Sequence, residues 1–364
     1  MISIQDVFNH LHTHAEISWE EYETTNYIKK LLESEGVQQV RTFPDIPGLV
    51  AEIGSGKPVV AVRADMDALW QEVDGEFKAN HSCGHDAHMT ITIGTLLSLK
   101  DQPLHGTVRF LFQPAEEKGN GALTFVSQGL VDDVDYLYGM HLRPAEELTC
   151  GEFSPVIKHG AARFIFGEIN GDDAHGARPH LNSNAINVAT ELNNHICGIG
   201  INPMVPHSIK MTQLMAGGKN ANIIPGNAKF SVDLRAQTNE GMEALDLQLR
   251  KACNTLANFY DVEINLSIGA DVAASVTNDD ATEKMSEGII AAAGKEKLKE
   301  PIVTTGGDDF HFYTIKRPHL KATMLGIGCD LKPGLHHPDM TFDFDVIPKS
   351  VEVMTQTVLN TLNP

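Results

Sequence analysis

Three apolar runs in the amino-terminal half of the chain each end in acid or imidazole, and that recurrence limits the fold more than any other feature. Residues 59–62 are Val-Val-Ala-Val and lead into Arg63-Ala64-Asp65-Met66-Asp67. Residues 107–112 are Thr-Val-Arg-Phe-Leu-Phe and lead into Gln113-Pro114-Ala115-Glu116-Glu117, and a third run over 135–140 ends at His141. Short β-branched and aromatic runs of this kind read as strands buried on both faces, the habit of parallel sheets covered by helices. An apolar helix over 89–99 stands between the first two and supplies a crossover. The expected fold is α/β, with a mostly parallel open sheet flanked by helices. In such sheets sites collect at the carboxyl edge, where Asp65, Asp67, Glu116, Glu117 and His141 would meet.

The stretch Asn80-His81-Ser82-Cys83-Gly84-His85-Asp86-Ala87-His88 adds a dense set of metal-ligand types just before the helix. Gly84 permits the sharp bend that would turn Cys83 and His85 toward one point. Thiolate and imidazole suit zinc-like ions, and carboxylate oxygens suit harder ones such as manganese. The bland alternative is a polar loop with Asp86 as N-cap, and His81 and His88 have no clear role. Adjacent side chains at a strand end point in opposed directions, so one of Glu116 and Glu117 can bind metal while the other faces a substrate water. Asp67 would fix an imidazole tautomer. In Gly334-Leu335-His336-His337-Pro338-Asp339, His336 is the candidate ligand, against two exposed loop histidines. Asp308-Asp309, after a glycine pair, would bind, orient or cap a helix.

Beyond residue 163 the pattern changes to strand, helix, strand, strand, helix, strand, the order of an α+β (βαββαβ) sandwich. A catalytic domain over 1–165 and 275–364, with an inserted lid domain over 166–274, is the expected organisation. Within the insertion, His175 sits in a small-residue loop able to bring a neutral donor to an oxyanion. Asn222 and Arg235 offer an amide and a guanidinium suited to a carboxylate. Near the start, Ser18 and Glu21 stand in capping-box register before a helix to Glu35.

A formal net charge of −20 argues against nucleic acid, and no apolar stretch is long enough to span a bilayer. The first residues lack a basic segment followed by an apolar one, so a secretory signal is not expected and the cytoplasm is the default. Five cysteines without paired spacing fit a reducing compartment.

Taken together, Arg63 to Leu69, Cys83 to His88, Gln113 to Glu117, Gly139-Met140-His141, the His175 loop, Asn222-Ile223-Ile224-Pro225 and Leu335-His336 resemble the metal-dependent aminoacylase and carboxypeptidase family, in its amidohydrolase branch, almost from end to end. That resemblance implies a two-metal site with Cys83, His85, Glu117, His141 and His336 as ligands and Glu116 as general base. The ions would be zinc, manganese or cobalt. It also implies a lid used for homodimerisation, with His175 reaching its own or a partner's active site, and Asn222 and Arg235 holding the substrate carboxylate. Three departures bear on substrate: Trp70 replaces a usual proline, His14-Ala15-Glu16-Ile17-Ser18-Trp19 replaces His-x-x-Pro-Glu-Leu, and Asp172-Asp173 stand where glycine and lysine are frequent. The expected activity is hydrolysis of N-acyl amino acids, with a dipeptidase or carboxypeptidase as the alternative and a metal-stabilised amino-acid-binding protein as the non-catalytic one.

Overall fold

The computed structural model of the protein describes residues 3–363; Met1 and Ile2, among the first residues read above for a secretory signal, and Pro364 lie outside them. The chain divides into two compact units, one of Met1–Lys158, Val276–Val303 and Asp308–Pro364, the other of His159–Ser275 and Thr304–Gly307.

The first unit is built on a seven-stranded sheet in the order Gln39–Thr42, Leu49–Gly54, Thr107–Gln113, Val59–Asp65, Tyr136–Pro144, Lys321–Leu331, Phe153–Ser154. The four strands from Thr107–Gln113 to Lys321–Leu331 are mutually parallel, and the flanking pairs are antiparallel. Every residue of Val59–Asp65 is buried, as a central parallel strand requires. The helices His85–Leu99, Asp279–Ala293 and Val346–Leu362 contribute to the hydrophobic core against this sheet. From Val59–Asp65 the chain passes to a neighbour on one side, Thr107–Gln113, and then back to Tyr136–Pro144 on the other. Strand order therefore reverses at Val59–Asp65, and its carboxyl end is the position where open α/β sheets place their sites.

Several sequence expectations change. The third strand continues to Pro144, so His141 lies within it rather than at its end. The N-cap of His85–Leu99 is Gly84, and Asp86 sits inside the first turn. Ser18 and Glu21 form no capping box: the Tyr22–Ser34 helix has no side-chain bond from its N-cap Glu21. Glu16 does that work, accepting from the amides of Glu23 at 3.2 Å and Thr24 at 2.8 Å. No helix among the described residues is long and apolar enough to cross a membrane.

The second unit is a four-stranded antiparallel sheet in the order His207–Ala216, Ala228–Ala236, Ala161–Asn170, Glu263–Val272. Its helices, Ala185–Cys197 and Asn239–Tyr260, pack their apolar stripes on the sheet in a core of their own around Ile165, Leu192, Phe230, Leu234, Leu245 and Leu249. A boundary at 165/166 would cut the Ala161–Asn170 strand, which pairs with Ala228–Ala236 from Ala161 onward. The unit accordingly begins at His159, and it also takes in residues 304–307.

Candidate metal centre

Gly84 has φ +84°, and a Cβ there would meet Leu142 Cδ1 at 2.8 Å. Only glycine takes that bend without strain, and it turns Cys83 and His85 the same way. The ligating atoms of Cys83, His85 and His141 lie within 4.8 Å of one another, as do those of Cys83, Glu117 and His336 and those of His85, Glu116 and Glu117. Residues far apart in sequence thus close into one group.

Hydrogen bonds fix which atom each imidazole offers. His85 Nδ1 donates to the Asp67 carbonyl at 2.7 Å, with the Asp67 carboxylate at 3.3 Å, which leaves Nε2 buried and without a hydrogen-bond partner. His141 Nδ1 donates to the Leu142 carbonyl at 2.7 Å and presents Nε2 to Cys83 Sγ at 3.5 Å. His336 Nε2 lies 3.3 Å from Glu117 Oε1, itself a buried atom with no hydrogen-bond partner. Buried polar atoms without partners are uncommon in native structures. Here two of them face a set of nitrogen, sulfur and oxygen donors, the composition expected of a transition-metal site.

The loops that carry these groups are tied down. His336 adopts φ +64°, its amide donates to Ser82 O at 2.8 Å, and its carbonyl accepts from Gln71 Nε2 at 2.8 Å. Ala115 adopts φ +54° just before Glu116. The Asp67 carboxylate accepts the amides of Glu116 at 3.1 Å and Glu117 at 3.0 Å, so Asp67 orients the acidic pair as well as His85. Glu116 Oε2 lies 3.9 Å from His85 Nε2. Burial and the Asp308, Glu117 and Asp309 carboxylates push the Glu116 carboxyl well above its ordinary range.

Behind Glu116 lies a buried polar network in which the sequence marks Asp65, Asp308 and Asp309 as candidates but gives Arg63 and Gln113 no role. Arg63, fully buried in the central strand, donates to Asp65 at 2.6 Å, Asp309 at 2.8 Å and Gln113 at 2.9 Å. Asp309 also accepts from the Gln113 amide and from Ala122 N, each at 2.8 Å, so it fastens both ends of the loop over 114–121. An arginine inside an otherwise apolar buried run was the available signal. His88 is settled as well: Nδ1 bonds Asp65 at 2.7 Å and Nε2 accepts Leu142 N at 3.0 Å, so both ring nitrogens are engaged. Asp86 pairs with His12 Nδ1 at 2.6 Å, and His81 is buried, with burial lowering its pKa to about 4.

In the second unit, His175 is exposed and pairs with Ile223. Gly176 N donates to Asn222 O at 2.7 Å, which places the His175 loop against Asn222. His175 Nδ1 accepts Ala177 N at 3.0 Å, so the ring's proton is on Nε2. Arg235 is on the separate Ala228–Ala236 strand, with Nε donated to Asp233 at 2.8 Å and the guanidinium 5.1 Å from the Phe164 ring centroid. Trp70 does not pack: it is 61% exposed, on the strand face opposite Gln71.

Residues 61–360 match the sequence profile of Peptidase family M20/M25/M40. The chain is 32% identical over 365 residues to N-acetyl-L-cysteine deacetylase of Bacillus subtilis (strain 168), covering 94% of this chain and 84% of that one. It is 30% identical over 329 residues to thermostable carboxypeptidase 1 of Saccharolobus solfataricus, covering 85% and 82%. Among solved structures, a dinuclear metal-binding peptidase of the M20 family from Bacillus subtilis superposes with a TM-score of 0.85 at 24% identity, over 99% of this chain and 97% of that chain.

Proposed function

The chain belongs to peptidase family M20/M25/M40, and from that membership and the ligand geometry we propose a metal-dependent amidohydrolase that cleaves the amide bond of N-acyl amino acids to a carboxylic acid and a free amino acid. The observation that carries the reading is the convergence of two buried ligand-type atoms that make no hydrogen bond, His85 Nε2 and Glu117 Oε1, with Cys83, His141 and His336, and with a further carboxylate, Glu116, beside them. That donor set fits two divalent ions of the zinc, manganese or cobalt class, held by Cys83, His85, Glu117, His141 and His336. The chemistry such ions supply when bound is acidification of a water and polarisation of the amide carbonyl.

The chain's own groups account for the rest. Glu116 takes the proton of the attacking water and returns it to the leaving nitrogen, a role for which an upward-shifted carboxyl is suited. Asp67 holds the His85 tautomer and both glutamate amides. His175, with its proton on Nε2, donates to the tetrahedral oxyanion, in its own or a partner's active site, and Asn222 and Arg235 receive the substrate carboxylate. A homodimer formed through the second unit and a cytoplasmic setting, where Cys83 stays a reduced ligand, belong to the same proposal.

The carboxypeptidase relative supports dipeptides as a second substrate class. A structural metal in a binding protein is disfavoured because such sites are closed and four-coordinate, whereas five donors and an extra carboxylate gather here. Elemental analysis is expected to find two ions per chain, with turnover on a panel of N-acetyl, N-benzoyl and indole-acetyl amino acids. Glu116→Gln is expected to keep the metals and lose about two orders of magnitude or more in kcat. Normal turnover in that variant would remove Glu116 from the base role, and one tightly held ion without turnover would favour the binder.

A further inference from the structure

The Ser18-Trp19-Glu20-Glu21 stretch, which has the sequence pattern of a capping box, makes its contacts around the Glu116-Glu117 loop instead. Ser18 Oγ donates at 2.6 Å to Asp67, whose carboxylate accepts the Glu116 and Glu117 amides. Trp19 Nε1 donates at 3.2 Å to Asn120 Oδ1 at the far end of that loop. Glu21, fully buried, accepts the Ala115 amide at 2.8 Å through Oε1, while its Oε2 is buried with no hydrogen-bond partner. Contacts from one turn thus reach the start of the segment that carries the candidate base directly through Glu21, its middle through Asp67 and its end directly through Trp19.

We propose that the Ser18–Glu21 turn is a clasp for the Glu116-Glu117 loop, with Glu21 the positioning residue that holds the left-handed kink at Ala115. The kinetic consequence rests on the amidohydrolase reading, but the geometric one does not. Both Trp19, at φ +72°, and Ala115, at φ +54°, occupy backbone that residues with a Cβ rarely adopt. Such conformations persist where surrounding contacts over-determine them, and they cluster at functional sites. The kink at Ala115 is what separates two neighbouring carboxylates: Glu116 goes to 3.9 Å from His85 Nε2, and Glu117 to 3.3 Å from His336 Nε2.

Helix capping does not explain Glu21, because Glu16 already satisfies the first-turn amides of Tyr22–Ser34. Nor does an ion pair: burial, reinforced by Asp67, pushes the Glu21 carboxyl up to about 8. At neutral pH it is mainly the uncharged acid, whose carbonyl oxygen is the acceptor for Ala115. A glutamine at this position offers the same oxygen, and an alanine offers none. Without it the Ala115 amide would be left buried and unpaired, and the kink would lose its anchor.

The test compares Glu21→Gln and Glu21→Ala in the full chain by amide hydrogen exchange, metal content and steady-state kinetics. Glu21→Gln is expected to match the native chain in all three. Glu21→Ala is expected to raise exchange at residues 115–118 by about 10-fold or more while the central strand stays protected, and to lower kcat by about 10- to 100-fold with KM within about 2-fold, the pattern of a misaimed base. Native exchange over 115–118 in Glu21→Ala would overturn the clasp. So would equal losses in both variants with exchange raised throughout the chain, since Glu21 would then be a general stability residue. A native chain inactive on the whole substrate panel would overturn the amidohydrolase reading, while the exchange contrast alone would still support the clasp.

Discussion

At the scale of single residues, the site is a set of groups whose charge states depend on what fills it. Burial and Glu117 push the Cys83 thiol well above its ordinary range. For His85, burial opposes protonation, but Asp65, Cys83 and Asp67 outweigh it and raise its pKa well above the usual value. Both groups must therefore shed protons before they can ligate, so metal binding releases protons and the apparent affinity rises with pH. Competition titration with a chromophoric chelator from pH 6 to 8 is expected to show this slope; a flat profile would mean that neither group titrates on binding. Arg63 makes a different demand. It is the cation shared by Asp65, Asp308 and Asp309, at 2.6, 3.5 and 2.8 Å. Arg63→Met leaves buried carboxylates without their counter-charge and is expected to cost about 3–5 kcal/mol, read from the urea midpoint.

At the scale of elements, the start of the His85–Leu99 helix decides whether the ligands converge. Gly84→Ala places a Cβ at left-handed φ and against Leu142, so the variant is expected to lose about 2 kcal/mol and most of its metal. A Gly84→Ala protein with native metal content would show that the bend is not what brings Cys83 and His85 together. This element also shows how far the sequence could be read. That Cys83, His85, Glu116 and Glu117 come together in space was legible because ligand types are rare and were clustered or placed at strand ends. The role of His88, three residues on, was not: it has the same chemistry as His85, and only the fold shows its nitrogens committed to Asp65 and Leu142 N. Ser18 and Glu21 failed for a related reason. Their spacing satisfies a capping box, but a side-chain acceptor serves whichever amide tertiary packing brings to it, and here that is Ala115. The strand holding His141 ran longer than read, because Leu142 and Arg143 remain buried and its ladder with Lys321–Leu331 continues past His141.

At the scale of the whole molecule, three central strands of the first unit and the strand and helix order of the second were legible from periodicity, while the flanking strands Gln39–Thr42, Leu49–Gly54 and Phe153–Ser154 were not, and nor was the boundary between the units, since no linker composition marks it. The second unit has the marks of an independent fold. All four strands and both helices of its sheet lie within residues 161–272, and its core lies within 161–274. Its ends meet, with Ser275 N donating to His159 O at 3.0 Å, so the insertion leaves and rejoins the chain at one place. Residues 304–307 join at that edge, where Thr304 O and Gly306 O accept the Gly160 amide at 3.0 and 3.1 Å. A fragment of residues 159–275 is therefore expected to unfold cooperatively, with slow amide exchange in Ala161–Asn170 and Ala228–Ala236 and no bound metal. The reciprocal chain, with residues 160–274 replaced by a short Gly-Ser linker, keeps Cys83, His85, Glu117, His141 and His336 and is expected to bind the native complement of metal. It lacks His175, Asn222 and Arg235, so its turnover of N-acyl amino acids is expected to fall by at least about 100-fold. A fragment that exchanges like an unfolded chain would tie the stability of the second unit to the first, and a linker variant with native turnover would free catalysis from His175, Asn222 and Arg235.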